Sequence, residues 1–320
     1  MKALRALYGT EPVASFGPQQ FKAVREHLAK EGDRTRDYIN VMMKRVRRVF
    51  IWASGEGMIP ASIPDALGNV DPLKAGRTKL REATPITTVP EEMVDATLLH
   101  LSSVVADMVR LQRYTGCRPG EVCKITPSMI DRTTGDIWEL KLDKHKTAYR
   151  GKERFIPLGK RSQAILAPYL LRGEDEHCFK PSDSEKRRRE AVHDARVTPL
   201  NQGNVPGSKR TRAKKAGTYQ KPVRVPGESY TAGSYGKAVT RACDKAFPAP
   251  AGTKGEALKA WQSDHRWHPN QLRHNFGTNV RKSDGLEAAS TMLGHSEIGV
   301  TQVYAERDKE KMIEIARRIG

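Results

Sequence analysis

Between Asp71 and Pro90 the chain carries Pro72, Gly76, Pro85 and Pro90 among scattered charges, and no regular element is expected to run through that density of breakers. The segment divides the 320 residues into a short part and a long part, so the chain is read as two domains, each with its own core. We place the first at 1–75, a linker at 76–90, and the second at 91–320 with a basic insert at about 180–230.

The first part is helical by its spacing. Phe21, Val24 and Leu28 mark a helix over Pro18 to Ala29, ended by Gly32. Ile39, Met42, Val46, Val49, Phe50 and Ala53 form a second stripe over Arg36 to Ala53, while Lys44, Arg45, Arg47 and Arg48 fall on other faces. Those four cations are either the solvated face of a core helix or a surface laid against phosphates. In the second case each neutralised phosphate on duplex DNA adds about −0.9 to the salt slope. The net charge of +19 and a pI near 9.9 favour a polyanionic partner, nucleic acid being the commonest and a membrane surface the other candidate. No apolar run is long enough to cross a bilayer, and no secretory leader is visible. The four cysteines show neither zinc spacing nor a disulfide framework and are expected to be reduced thiols.

Four stretches of the second part carry the chemistry. In Thr115-Gly116-Cys117-Arg118-Pro119-Gly120-Glu121 a helix ends at Gly116, and Pro119 opens another. Arg118, before the proline, is pushed out of the helical region, which gives its guanidinium a fixed origin; a plain pairing with Glu121 is the alternative. Ile137 to Leu142 alternates as a strand, Glu153 to Leu158 reads as its return, and Lys146-Thr147 sits near the hairpin tip with Lys144 and Lys152 as rivals. A lysine there suits proton donation to a leaving oxygen. The basic insert, with runs Lys186 to Arg189 and Lys209 to Lys215, reads as solvated chain, and Tyr235 to Phe247 as helix. Trp267-His268-Pro269-Asn270-Gln271-Leu272-Arg273-His274 opens a further helix, for which Asn270 is the expected N-cap. Arg273 in its first turn, with Arg118, would clamp one phosphate from two sides. Finally, Leu293-Gly294-His295 places a histidine behind a glycine stop, and a short segment later Tyr304 lies on another helix.

In order and spacing these stretches resemble the tyrosine recombinase (phage integrase) family across Pro90 to Gly320. The resemblance implies a mainly α fold with a small β-sheet: a helical N-terminal core-binding domain plus a mixed α+β catalytic domain. It implies a site-specific DNA recombinase or integrase that cleaves and rejoins strands through a 3′-phosphotyrosyl intermediate. The catalytic residues it assigns are Arg118, Lys146, Asn270, Arg273, His295 and Tyr304, with Lys44, Arg45, Arg47 and Arg48 on the DNA-holding module. Asn270 is a departure, since the family carries histidine three residues before the second arginine. Asparagine cannot take a proton, so His268, His274, His295 or water would compensate, or activity would be weak.

A free tyrosine has a pKa of about 10, so on the order of a thousandth is ionised at neutral pH, and Tyr304 needs the positive field of Arg118, Arg273 and Lys146. Cations already in place stabilise the charge that gathers on the phosphoryl oxygens. Lys146 would protonate the departing 5′ oxygen, and His295 would bond a non-bridging oxygen. The bond energy stays in the phosphotyrosine, so neither cofactor nor metal is expected. The sequence agrees, having no Gly-rich phosphate loop and no clear carboxylate cluster. The implied partners are double-stranded DNA and copies of the chain, as a tetramer on DNA, in a cytoplasmic, nucleoid-associated protein, with no membrane and no arm-site domain before Phe16. The apolar stripe Met312, Ile313, Ile315, Ala316 and Ile319 would dock on its own core or on a neighbour. Relaxation of DNA in the manner of a type IB topoisomerase, and DNA binding without catalysis, are the competing readings.

Overall fold

The computed structural model describes residues 2–30, 32–85, 87–133, 135–142, 155–197, 215–217 and 225–294. It divides into two compact units, Met1–Ile86 and Thr87–Gly320.

The first unit contains α1 (Lys2–Tyr8), α2 (Pro18–Lys30), α3 (Arg36–Gly55) and α4 (Ser62–Gly68). Thr35 caps α3, its hydroxyl accepting the Tyr38 amide at 3.3 Å. The core gathers Phe16, Phe21, Val24, Leu28, Ile39, Met43, Val46, Phe50 and Leu67, with Phe16 stacked on Phe50. The buried stripe of α3 therefore runs Ile39, Met43, Val46, Phe50, a centre one position away from the expected one. Met42 packs on its flank, Val49 is exposed and Ala53 is only half-buried. Both methionines fit a helical period, and the packing of α2 and α4 chooses between them.

Within the segment expected to link the domains, several residues are tied to one side. Asn40 pairs with both backbone groups of Leu73, Arg36 holds the Leu73 carbonyl and the Glu82 carboxylate, and Arg81 bonds Asp33. Val89 belongs to the core of the second unit. Proline and glycine exclude regular structure here, but the backbone is satisfied by side chains instead.

The second unit is built round α6 (Ser103–Thr115), which buries Val104, Val105, Met108, Val109 and Leu111. Before it lies α5 (Glu91–Leu98); after it come α7 (Pro119–Val122) and an antiparallel sheet of β1 (Ile130–Asp131), β2 (Trp138–Lys141) and β3 (Phe155–Leu158) in that order. Ile130 pairs with Leu140, and Leu140 with Ile156, so one column of side chains enters the core. The expected hairpin is present; the two-residue β1 was too short to carry an alternation. Then follow α8 (Lys160–Leu166), α9 (Pro181–Asp194), α10 (Ala232–Ala246), α11 (Gly255–His265), α12 (Pro269–Asp284) and α13 (Leu286–Leu293).

The basic insert is a correction in part. Its first run is helical: Lys186 to Arg189 lie on α9, where Glu185 pairs with both Arg188 and Arg189. Arg187, exposed on the same helix, donates to the Ser103 hydroxyl at 2.9 Å and lies over the Tyr169 ring. The second run, from Lys209, lies almost wholly outside the described residues.

Candidate active site

Helix α6 stops because Gly116 adopts φ +62, the left-handed conformation in which glycine carries no side-chain penalty. A second constraint acts on the same atom. A Cβ at Gly116 would come within 2.4 Å of the Phe276 ring, so the bare backbone lets α12 approach the end of α6. The chain beyond is held by a buried polar relay. Tyr235 donates to Gln112 Oε1 at 3.0 Å, and Gln112 Nε2 donates to the Cys117 carbonyl at 2.9 Å. Gln112 sits at a position where the helical period expects an apolar residue, and that misfit was the signal in the sequence for this support.

Arg118 is thereby launched from a fixed corner, with extended backbone ahead of Pro119. Glu121 accepts from its amide at 2.7 Å and from its Nη1 at 2.9 Å. The pairing with Glu121 is thus realised, and the arginine side chain stays 34% exposed while Glu121 is largely covered. The carboxylate steers one edge of the guanidinium without enclosing it.

At α12 the expected N-cap is corrected. His268 is the capping residue, its amide donating to Gln271 Oε1 at 2.8 Å, and Pro269 takes the first helical position. Asn270 is therefore one residue inside the helix and exposed. Proline at the first turn outweighs the capping preference of asparagine, because a ring with no N–H is best accommodated there. Gln271 also donates to the Thr87 carbonyl, and Asn275 pairs with both backbone groups of Val89.

Arg273 is 3% exposed. Its Nη1 donates to the Gly116 carbonyl at 2.7 Å and its Nη2 to the Leu293 carbonyl at 2.6 Å. Both acceptors lie at helix C-terminal ends, where the partial negative charge suits a cation. One guanidinium thus joins the end of α6, two residues before Arg118, to the end of α13, two residues before His295. Beside it, burial and then the charge of Arg273 hold the His274 pKa below its ordinary value. Burial pushes the Cys117 thiol up to about 12, against the pull of Arg273, so it is no nucleophile.

Lys146, His295 and Tyr304 lie outside the described residues, as do Lys144, Lys152 and the C-terminal stripe from Met312. In the first unit Lys44, Arg45 and Arg48 are exposed on α3, whereas Arg47 is half-buried and donates to the Pro64 carbonyl. Among the described residues there is no group of three or more His, Cys, Asp or Glu that could hold a metal ion. No helix there is long and apolar enough to cross a membrane.

A profile of the phage integrase family matches residues 244–311, the stretch that holds Asn270, Arg273, His295 and Tyr304. Over 53 residues the chain is 38% identical to the tyrosine recombinase XerC of Alcanivorax borkumensis, covering 16% of this chain and 17% of the relative. Over this stretch the chain is similar to the tyrosine recombinase (phage integrase) family. The XerC of Pseudomonas putida is 32% identical over 71 residues, 22% of this chain and 24% of that one. These matches span less than a quarter of each relative's length. The fold is similar over a far longer span. A Tn1549 transposon integrase in complex with a circular-intermediate DNA superposes with a TM-score of 0.59 at 14% identity, covering 99% of this chain and 91% of that one. A lambda integrase dimer bound to a COC′ core site gives 0.59 at 15% identity, over 96% and 86%. The fold of these integrases, mainly helical with a small sheet, is therefore that of this chain.

Proposed function

We propose that the chain is a site-specific DNA recombinase that breaks and rejoins strands through Tyr304. The observation that carries this reading is the double hydrogen bond of Arg273 to Gly116 and Leu293, which draws the Arg118 corner and the approach to His295 onto one helix. The similarity of residues 244–311 to the phage integrase family and the likeness in fold to DNA-bound integrases support it.

In this mechanism Arg118 and Arg273 bind the scissile phosphate, and His295 bonds one of its non-bridging oxygens. Tyr304 attacks phosphorus, forming a 3′-phosphotyrosyl bond as the 5′ oxygen leaves with a proton from Lys146. A 5′ hydroxyl from a second strand then attacks the phosphotyrosine, restores the phosphodiester and frees the tyrosine. The cationic residues act by stabilising the charge on the phosphoryl oxygens, a contribution of several kcal/mol where such donors are preorganised. The partner is double-stranded DNA, gripped by Lys44, Arg45 and Arg48 in the first unit, which serves as a core-binding domain. The working assembly is a tetramer on DNA, at the nucleoid.

The test is a nicked duplex that loses a short fragment on cleavage and so traps the covalent complex, drawn from a pool with randomised flanks. The wild-type chain should yield a band surviving denaturation, and Tyr304→Phe should yield none. A band that persists in Tyr304→Phe, or strand breakage without a protein-linked 3′ end, would reject the mechanism. Relaxation of supercoiled DNA with no strand exchange between duplexes would assign topoisomerase activity instead.

A further inference from the structure

We propose that Asn270 and His274 work as one unit, in which Nε2 of His274 accepts an N–H from the Asn270 carboxamide and so fixes the direction in which that side chain meets the reacting groups. The inference rests on the recombinase reading above and makes His274 a positioning residue.

The two residues are one turn apart on α12 and share a face. Asn270 Nδ2 lies 3.5 Å from His274 Nε2, at the outer limit of a hydrogen bond. Asn270 is exposed and His274 is 8% exposed, so the pair runs from the surface to the interior. Arg273 lies between them in sequence, which places the pair beside the phosphate clamp.

The direction of the bond follows from protonation. An imidazolium has two donors and no acceptor, and an amide nitrogen cannot accept, so the contact requires a bare Nε2. Burial and the neighbouring charge of Arg273 favour that neutral ring. An isolated carboxamide can turn over with little penalty, and this contact removes the freedom. With Nδ2 facing the ring, Oδ1 points away from it. That oxygen accepts and never donates, so it suits an incoming O–H, that of a tyrosine or a water. The remaining Nδ2 hydrogen suits a phosphate oxygen. The position orients a hydroxyl without receiving its proton.

The first experiment uses the full-length, DNA-free protein labelled with nitrogen-15 in histidine. In long-range proton–nitrogen spectra at neutral pH, His274 Nε2 should resonate as an unprotonated nitrogen and should move in Asn270→Ala. A protonated Nε2, or a resonance indifferent to Asn270→Ala, overturns the pairing. The second experiment reads covalent capture of the nicked pool. Asn270→Ala and His274→Phe should each slow capture about tenfold, and the double variant should be no slower than either. His274→Gln, which keeps an acceptor near the Nε2 position, should restore most of the rate. Additive losses of about a hundredfold in the double variant, or no rescue by glutamine, overturn the proposal. Should the wild type capture nothing, the recombinase reading fails, while the spectrum still decides whether the two residues are paired.

Discussion

Arg273 and Gly116, separated by 157 positions in the chain, are joined by a 2.7 Å hydrogen bond from Nη1 to the carbonyl oxygen. With the second bond to Leu293, this makes the arginine a structural tie as well as a proposed phosphate ligand. Arg273→Ala would strand two carbonyls and should destabilise the second unit by about 3 kcal/mol, read by urea unfolding. Arg273→Lys should lose nearly as much, because an ammonium cannot reproduce the planar fork. Equal stability in all three proteins would show that the tie is not maintained in solution.

Gly116 carries two separable demands. Gly116→Ala should lose more than about 2 kcal/mol, from the left-handed backbone and from collision with the Phe276 ring. Adding Phe276→Ala should relieve the collision and leave the backbone cost. If the second substitution recovers nothing relative to Phe276→Ala alone, the close approach of α12 is misplaced.

His274 links stability to pH. Its folded pKa is lowered from 6.5, so the unfolded chain binds the proton more readily. Below the unfolded value the unfolded state gains protons first, so its contribution to stability is full above about 6.5 and declines as pH falls through the folded pKa. His274→Gln should flatten that part of the profile. An unchanged slope between the parent and the glutamine variant contradicts the shift.

The thiols give a third check on burial. Cys117, Cys123 and Cys178 are all buried, with pKa values pushed up to about 12 by desolvation. Native protein at pH 8 should react with iodoacetamide far more slowly than protein in urea at these positions, scored by peptide mass. Rapid native labelling at Cys117 would mean that the Arg118 corner opens.

On α3, neighbouring arginines should behave differently. Arg48→Ala should reduce the salt slope of DNA binding by about one and leave stability unchanged. Arg47→Ala should instead destabilise the first unit by about 1 kcal/mol, because it removes the donor to the Pro64 carbonyl. Matching effects at the two positions would show that both face the same surroundings.

What could be read without coordinates was set by local rules. Gly116, Pro119 and the Val104 to Leu111 stripe fix where α6 ends and α7 begins, because those residues act on their own backbone. Helix α9 was missed because its lack of apolar residues hides its period; Arg187 and the paired Arg188 and Arg189 hold it with polar contacts. The N-cap fell on Asn270 because asparagine is the better capping side chain, yet Pro269 decides the register. The Arg273 bonds were beyond reach, since their acceptors are backbone oxygens brought near only by the packing of α6, α12 and α13.

Gln271 and Asn275 grip Thr87 and Val89 from the same rod that carries Asn270 and Arg273. Tension on the polypeptide where it enters the second unit is thus borne by the helix that holds the proposed phosphate ligand. A pull of that kind would reach Arg273 as a small tilt of one lever.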